Sequence, residues 1–154
     1  MCTSFMSELM TATHNFGTAP TRGTSAADAV KAALYLTTAT KNASTTAFTL
    51  SDATEVSGTG YTTGGVTVTN ATAPTSTNTS ATAGVAFFTP SASIVYTTVT
   101  LTTAFDAVLI YNFTQSLKAI SVHTFGSQTI TAGTFTLTMP ANTTSAALIR
   151  LATT

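Results

Sequence analysis

Charged residues are the scarcest feature of this sequence. They make up 6% of the 154 residues, five of each sign, so the formal net charge is zero. A nucleic-acid-binding domain needs a basic stripe to neutralise phosphates, and this chain has none. Disorder requires low hydrophobicity together with high net charge, whereas 44% of this chain is hydrophobic. The composition predicts a folded domain that does not bind nucleic acid.

Cysteine and long apolar runs are also scarce. Cys2 is the only cysteine, which excludes an internal disulfide and a multi-cysteine metal site. The best apolar run, residues 104–113, contains Asp106 and falls short of the roughly 18 apolar residues of a membrane helix. Residues 1–16 lack the basic start and continuous apolar core of a signal peptide. We therefore expect a soluble protein with no membrane partner.

Threonine is what the chain has in abundance, at 40 of 154 residues. It is β-branched, favours strands and provides a polar surface without charge. A small domain with near-zero net charge is poorly protected against self-association, which a protein packed in an assembly tolerates. The length fits a single domain, and the composition favours a structural role.

The N-terminal region, residues 1–24, is predicted to be an arm in which residues 3–16 form a short helix, followed by a single β-rich domain over residues 25–154. Ser4 is the predicted cap, and Glu8 would lie early in the helix. One face of the helix carries four apolar residues, Phe5, Met6, Leu9 and Met10. This apolar face would pack on its own domain or on a neighbouring subunit.

The next segment allows two interpretations. After a break at residues 17–23, Ser25 can cap a helix over residues 26–34, with Asp28 near its positive end. Residues 33–38 suit a strand equally well, and we favour a strand from Ala32 onward.

The remainder reads as strands separated by turns. Apolar and polar side chains alternate strictly over residues 66–69, which predicts a strand. Residues 70–84 contain no large apolar side chain and predict a surface loop or an extended edge segment. Residues 114–116 form a hairpin-length link, and residues 132–133 a turn. This spacing predicts a β-sandwich or jelly-roll. The predicted later strands cover residues 85–89, 94–101, 108–113, 117–125, 128–131, 134–139 and 146–151.

A glycine-rich stretch, residues 54–68, lies between an alanine-rich first third of the chain and a threonine-rich, strand-like remainder. It holds four of the nine glycines within the eight residues 58–65. Such clusters allow positive φ or close approach of another chain segment. A phosphate loop is excluded, because a third glycine in register and a following lysine are missing, and Gly64-Gly65 leads into a strand. We interpret the stretch as a turn, with Tyr61 as its anchor.

Candidate bases for nucleophilic catalysis are limited to His14 and His123. No Gly-x-Ser-x-Gly motif is present, and Cys2 lies at the terminus. His123 is predicted to be a surface strand residue, and His14 to complement the dipole at the end of the first helix. We predict no catalytic residue.

Among the carboxylates, Asp52 and Glu55 form the only close pair. A calcium site needs six to eight oxygens, so Asp52 is better interpreted as a turn residue. Asp106, if buried, needs a cationic partner, for which Arg150 and Lys118 are the candidates. An acid pair for glycoside hydrolysis is not identifiable. We predict a non-enzymatic protein with no metal, no cofactor-binding residue and no cofactor.

Three segments carry a resemblance to a known family: ALYLTTAT at residues 33–40, EVSGTGY at residues 55–61, and Gly64-Gly65. They resemble small virion proteins of tailed bacteriophages, described as head decoration (cement), head fibre or tail-associated proteins. The resemblance covers roughly residues 26–151. It implies a virion structural protein on the capsid surface, a decoration protein that binds the lattice of the major capsid protein. The family has no catalytic residues to carry over.

The resemblance leads us to expect a homotrimer at local three-fold positions of the capsid. The alternative is a head or tail fibre component that binds a host receptor, which predicts an exposed aromatic cluster. A hydrolase of cell-wall polymer is a third hypothesis, and it requires clustered carboxylates or a histidine-centred site.

Overall fold

The structure is a computed structural model that describes residues 1–10, 13–16, 27–69, 74–77 and 84–152, without the side chains of Met6 and Met10. This part of the chain is mainly β, with two antiparallel sheets and one short N-terminal helix, consistent with the predicted β-sandwich-like domain. It contains no helix that is long and apolar enough to span a membrane.

The larger sheet has the strand order β2-β1-β5-β6, and the smaller sheet has the order β3-β4-β7. Every pairing is antiparallel. The elements are α1 (Thr3–Met10), β1 (Val30–Leu36), β2 (Val66–Thr67), β3 (Thr75–Ser76), β4 (Val85–Phe88), β5 (Ile94–Asn112), β6 (Lys118–Leu137) and β7 (Ile149–Ala152).

A long two-stranded ribbon of β5 and β6 dominates the larger sheet. Predicted strands that seemed separate in the sequence are parts of these two strands, because bulges absorb the interruptions without ending the pairing. The predicted turn at residues 132–133 is wrong. Ala132 has a φ of 46° inside β6, and Gly133 still pairs with Val99. The predicted hairpin link at residues 114–116 is confirmed, since β5 ends before it and β6 begins after it.

The first strand corrects the helical interpretation of residues 26–34. β1 begins at Val30, two residues before the favoured start at Ala32. Residues 32–35 are all buried, so both faces of this strand are covered and the alternation that marks a half-buried strand is missing. Asp28 precedes β1 and is not helical. Residues 17–26, including the predicted break and Ser25, lie outside the described residues.

The helix α1 is shorter than predicted, because it ends at Met10. Ser4 lies inside it and is not its cap, and Glu8 lies in its last turn, not early. Phe5 is fully buried, with its ring centroid 5.9 Å from that of Phe16. The apolar face of the helix therefore packs on its own domain.

The predicted strand over residues 66–69 is shortened to β2. Within residues 70–84, residues 74–77 and Gly84 are described, and β3 lies there at the edge of the smaller sheet. This position matches an extended edge segment; the rest of the predicted loop lies outside the described residues.

Candidate functional site

The glycine-rich stretch begins along the edge of β1. The backbone N–H of Leu36 donates to the Thr54 carbonyl (2.9 Å), and the N–H of Val56 donates to the Leu34 carbonyl (3.0 Å). These two bonds continue the sheet beyond the short β2. Their spacing makes the residues between them a non-hydrogen-bonded antiparallel pair, whose side chains stand close together. That pair is Tyr35 and Glu55.

The Tyr61 hydroxyl holds the stretch against β1. It accepts a hydrogen bond from the Leu34 N–H (3.0 Å) and donates one to Oε1 of Glu55 (2.9 Å). The Gly64 N–H donates to the same carboxylate oxygen (2.6 Å). The hydroxyl thus replaces the carbonyl that a neighbouring strand would offer to Leu34. We call Glu55, Tyr61 and Gly64 the Glu55 clasp.

Two positions in the stretch require glycine, because the backbone there has a positive φ and lies very close to a neighbouring strand. At Gly65 (φ 71°), a Cβ atom would lie 1.7 Å from the Ala32 carbonyl oxygen of β1. At Gly60 (φ 77°), it would lie 2.3 Å from the Thr98 carbonyl oxygen of β5. The stretch therefore fits between β1 and the first half of β5, and Tyr61 lies where the sequence predicted an anchor.

Glu55 is buried, at 7% exposure, and its Oε2 has no hydrogen-bond partner among the described residues. Burial raises the pKa of Glu55, which outweighs the lowering by the hydrogen bonds from Gly64 and Tyr61. Burial and the nearby Glu55 charge also raise the pKa of Tyr61. The Tyr61 hydroxyl therefore stays protonated and remains a donor.

Two further tyrosines support the clasp. The Tyr111 hydroxyl donates to the Gly64 carbonyl (2.8 Å), and the Tyr96 hydroxyl donates to the Ala32 carbonyl (2.7 Å). Burial and Glu55 raise the pKa of Tyr111 to about 12. The Tyr96 ring stacks on Tyr61 with a centroid distance of 6.0 Å. These contacts fix the stretch from both halves of β5.

Asp52 is confirmed as a turn residue, since its Oδ1 accepts the Thr54 N–H (2.9 Å). Its Oδ2 accepts a hydrogen bond from Lys41 Nζ (2.7 Å). Burial acts to raise the pKa of Asp52, but the hydrogen bonds from Lys41 and Thr54 outweigh it and lower the pKa to about 2. Asp52 and Glu55 thus have separate protein partners. The described residues contain no group of three or more His, Cys, Asp or Glu side chains that could hold a metal.

A second buried polar cluster joins the N-terminal region to β5. His14 Nε2 lies 2.9 Å from Glu8 Oε2, and His14 Nδ1 lies 3.0 Å from Asn112 Nδ2. Asn112 Nδ2 also donates to Asp28 Oδ2 (2.8 Å). An amide nitrogen carries two hydrogens, so Asn112 donates one to each neighbour. His14 then accepts at Nδ1 and donates from Nε2 to Glu8. We call these four residues the His14 network.

The ends of the His14 network are also bonded. Lys118 Nζ donates to Glu8 Oε1 (2.7 Å), and Gln115 Nε2 donates to Asp28 Oδ1 (3.0 Å). Burial opposes ionisation of Glu8, but the hydrogen bonds from Lys118 and His14 outweigh it and lower its pKa. The network ties α1, the segment before β1 and the β5–β6 hairpin together. It therefore has the form of a structural connection.

The histidine predictions need correction. His14 lies beyond the end of α1 and binds Glu8, so it does not cap the helix dipole. His123 is half-buried over an apolar cavity of about 250 Å³ that Val108 and Leu137 help to line. Burial lowers the pKa of His123, and its Nε2 lies 3.0 Å from Ser121 Oγ. It is not a plain surface residue.

Neither candidate partner of Asp106 forms an ion pair with it among the described residues. Lys118 binds Glu8, and Arg150 is exposed on β7. Asp106 is half-buried at an irregularity of β5, between Phe105 and Ala107. Its environment therefore does not demand the compensating cation that full burial would require.

The sequence reasoning missed the His14 network. Asn112, a polar residue at the end of the apolar run 104–113, was the available signal, because a buried amide must be hydrogen-bonded. The identity of its partners depends on the tertiary fold.

An apolar groove of about 120 Å³ lies between α1 and the smaller sheet. Phe5 and Leu9 line one side, and Phe88 and Ile149 line the other.

Comparisons with known protein families, with curated proteins and with solved structures find no match in any of the three. Function is therefore inferred from the residues, their geometry and the sequence resemblance.

Proposed function

We propose that this protein is a non-enzymatic structural protein of a tailed-phage particle, a decoration protein that binds the major capsid protein lattice at the capsid surface. The observation that carries the proposal is the position of the residues behind the resemblance. Glu55, Tyr61 and Gly64 form the clasp, and Gly65 packs against the backbone of β1. The segment that resembles the phage proteins is therefore one on which this fold depends.

The bonding of the titratable groups supports a structural role. His14 and the carboxylates of Glu8 and Asp28 hold the N-terminal region on the domain. Asp52 and Glu55 hold the glycine-rich stretch. Each of these groups thus has a structural task that accounts for its presence.

The surface composition supports binding within a lattice. A threonine-rich, charge-poor surface offers many weak polar contacts, and repeated copies on a lattice convert weak contacts into strong attachment. The homotrimer at local three-fold positions stays a prediction from the resemblance.

The fibre or receptor-binding alternative is less favoured. It predicts an exposed aromatic cluster, yet Phe113, at 50% exposure, is the only exposed large aromatic side chain in the described part of the chain. The Nζ atom of Lys31 also lies over its ring, 4.4 Å from the centroid. A single ring with a lysine ammonium over it makes a poor platform for a glycan.

Cosedimentation tests the proposal directly. Shells assembled from the major capsid protein encoded in the same genome are mixed with increasing amounts of the purified protein, with shells of an unrelated phage as the control. We expect saturable binding at a fixed ratio of this protein to capsid protein, on the cognate shells alone. Absence of binding, or equal binding to both shells, would contradict the proposal.

A further inference from the structure

A cavity of about 250 Å³ lies against one face of the larger sheet. The paired strands β5 and β6 form one wall, and the segment that follows β6 forms the other. An engineered apolar cavity of about 150 Å³ holds benzene, so this one has room for a molecule somewhat larger than a single ring. Six of the lining side chains are apolar and flexible or branched: Ile94, Val108, Ile110, Leu137, Met139 and Leu148.

His123 also lines the cavity, and it has a ring nitrogen that the fold leaves unused. Its Nε2 lies 3.0 Å from Oγ of Ser121, a buried residue that pairs with Ile110. Its Nδ1 has no hydrogen-bond partner among the described residues, and this atom is not sealed from solvent. Ser121 therefore holds one edge of the imidazole, and one polar atom stays free beside aliphatic walls.

The protonation of His123 determines which group it can recognise. Burial, followed by the positive charge of the N-terminus, lowers the pKa of His123, so the ring is neutral at neutral pH. One nitrogen of a neutral imidazole donates and the other accepts. Because the Ser121 hydroxyl can take either role towards Nε2, Nδ1 can also take either role. A hydroxyl group both donates and accepts, so it suits Nδ1 in both tautomers.

A charged ligand fits this site less well. Among the described residues that line the cavity there is no Asp, Glu, Lys or Arg. A carboxylate or an ammonium group moved into it would lose its hydration without gaining an opposite charge, which costs free energy. A carboxylate could also only accept a hydrogen bond from Nδ1.

We propose that this cavity binds a small uncharged molecule with an apolar body and one hydroxyl group, and that Nδ1 of His123 bonds the hydroxyl. Removal of the apolar body from water supplies most of the affinity, and the histidine sets the orientation. The inference rests on the cavity and on His123, and it is independent of the phage proposal.

Three probes of one shape test the inference. In p-xylene a methyl group replaces the hydroxyl of p-cresol, and in p-toluate a carboxylate replaces it. Each probe is titrated into the full chain at neutral pH, and nuclear magnetic resonance follows the methyl signals of Val108, Leu137 and Leu148. We expect saturable shifts with p-cresol and a dissociation constant about fivefold higher for p-xylene, the ratio that one net hydrogen bond gives. The p-toluate anion should bind more weakly than p-cresol.

Two variants locate the site. His123→Phe keeps a ring but removes Nδ1, so p-cresol and p-xylene should bind it equally. Leu137→Trp fills the cavity and should abolish the binding of both. Thr136→Trp is the matched control, because Thr136 is exposed and points to the opposite face of β6. This control should bind p-cresol as the wild type does. Circular dichroism confirms that each variant folds.

Three results would overturn the proposal: no saturable binding of p-cresol to the wild type, equal binding of p-cresol and p-xylene to the wild type, or p-toluate binding as tight as that of p-cresol. Unchanged binding in a folded Leu137→Trp protein would also overturn it, because the probe would then lie elsewhere. If His123→Phe does not fold, the comparison of p-cresol with p-xylene on the wild type still tests recognition of the hydroxyl.

Discussion

The hydroxyl of Tyr61 lies between the backbone N–H of Leu34, at 3.0 Å, and Oε1 of Glu55, at 2.9 Å. One side-chain oxygen thus completes the hydrogen bonding of a strand edge and holds a buried carboxylate. The Gly64 N–H donates to the same carboxylate oxygen. The chain from Glu55 to Gly64 is therefore a loop whose two ends are hydrogen-bonded to each other. The glycine-rich stretch becomes a fixed part of the larger sheet.

Tyr61→Phe should destabilise the fold by about 1–3 kcal/mol, because it leaves the Leu34 N–H without its acceptor. Tyr35→Phe is the matched control, since the Tyr35 hydroxyl is buried and has no hydrogen-bond partner among the described residues. The control should change the free energy of unfolding by less than about 0.5 kcal/mol. Urea denaturation measures both variants. Equal losses would show that the clasp contributes nothing specific.

Glu55→Gln should remove a pH dependence of stability. The pKa of Glu55 is raised in the fold from its ordinary 4.5, so the folded state favours the protonated acid. The resulting stabilisation is complete below pH 4.5 and is lost as the pH rises through the folded pKa. At neutral pH the glutamine variant should be at least as stable as the wild type, because its amide oxygen keeps both acceptor roles without a buried charge.

The control for this prediction is Glu55→Leu, which removes the acceptor for Tyr61 and Gly64 and should cost about 1–3 kcal/mol at any pH. The measurement is urea denaturation from acid to neutral pH. A glutamine variant that is as destabilised as the leucine variant at neutral pH would contradict the conclusion that burial disfavours the charged form of Glu55.

Asp52 should show the opposite pH dependence. Its pKa is lowered from 3.8 to about 2, so its contribution is present above pH 3.8 and is lost as the pH falls towards 2. Asp52→Asn keeps the acceptor for the Thr54 N–H and loses the ion pair with Lys41. The expected cost at neutral pH is about 0.5–1 kcal/mol, because the pair is partly exposed to solvent.

Acid titration of stability for the wild type and Asp52→Asn gives the measurement. The difference between them should vanish near pH 2. A difference that persists unchanged in acid would show that the asparagine variant fails for another reason, such as a distorted turn.

Gly65→Ala should unfold the protein or cost more than about 3 kcal/mol, because φ is 71° and the new Cβ would overlap the Ala32 carbonyl. Gly126→Ala is the control, since nothing lies within 4 Å of its added Cβ. That variant should stay within about 0.5 kcal/mol of the wild type. Thermal melting compares the two, and a stable Gly65→Ala protein would mean that the stretch does not pack on β1 as described.

The glycine cluster shows how far sequence reasoning reaches. Four glycines within eight residues predicted positive φ and close approach, and both occur. The sequence did not identify Leu34 and Glu55 as the partners of Tyr61, because that depends on which strand edge the stretch meets. Local composition fixes the backbone a segment can adopt, and the neighbouring elements decide its contacts.

The strands show a second limit. Residues 32–35 are all buried, so both faces of the strand are apolar. Their sequence therefore lacks the alternation of apolar and polar residues that distinguishes a strand from a helix. Ala132-Gly133 has the composition of a turn, yet pairing with β5 continues through it as a bulge. Periodicity identifies half-buried strands well, and it fails where tertiary pairing overrides a local break.

The most direct test of the proposal that this is a capsid decoration protein is its copy number in purified particles released from the cells whose genome encodes it. Quantitative mass spectrometry of washed particles gives the ratio of this protein to the major capsid protein. We predict a fixed ratio, with copies on the scale of the capsid lattice, in heads separated from tails. Absence from washed heads, or a few copies that follow the tail fraction, would contradict the claim.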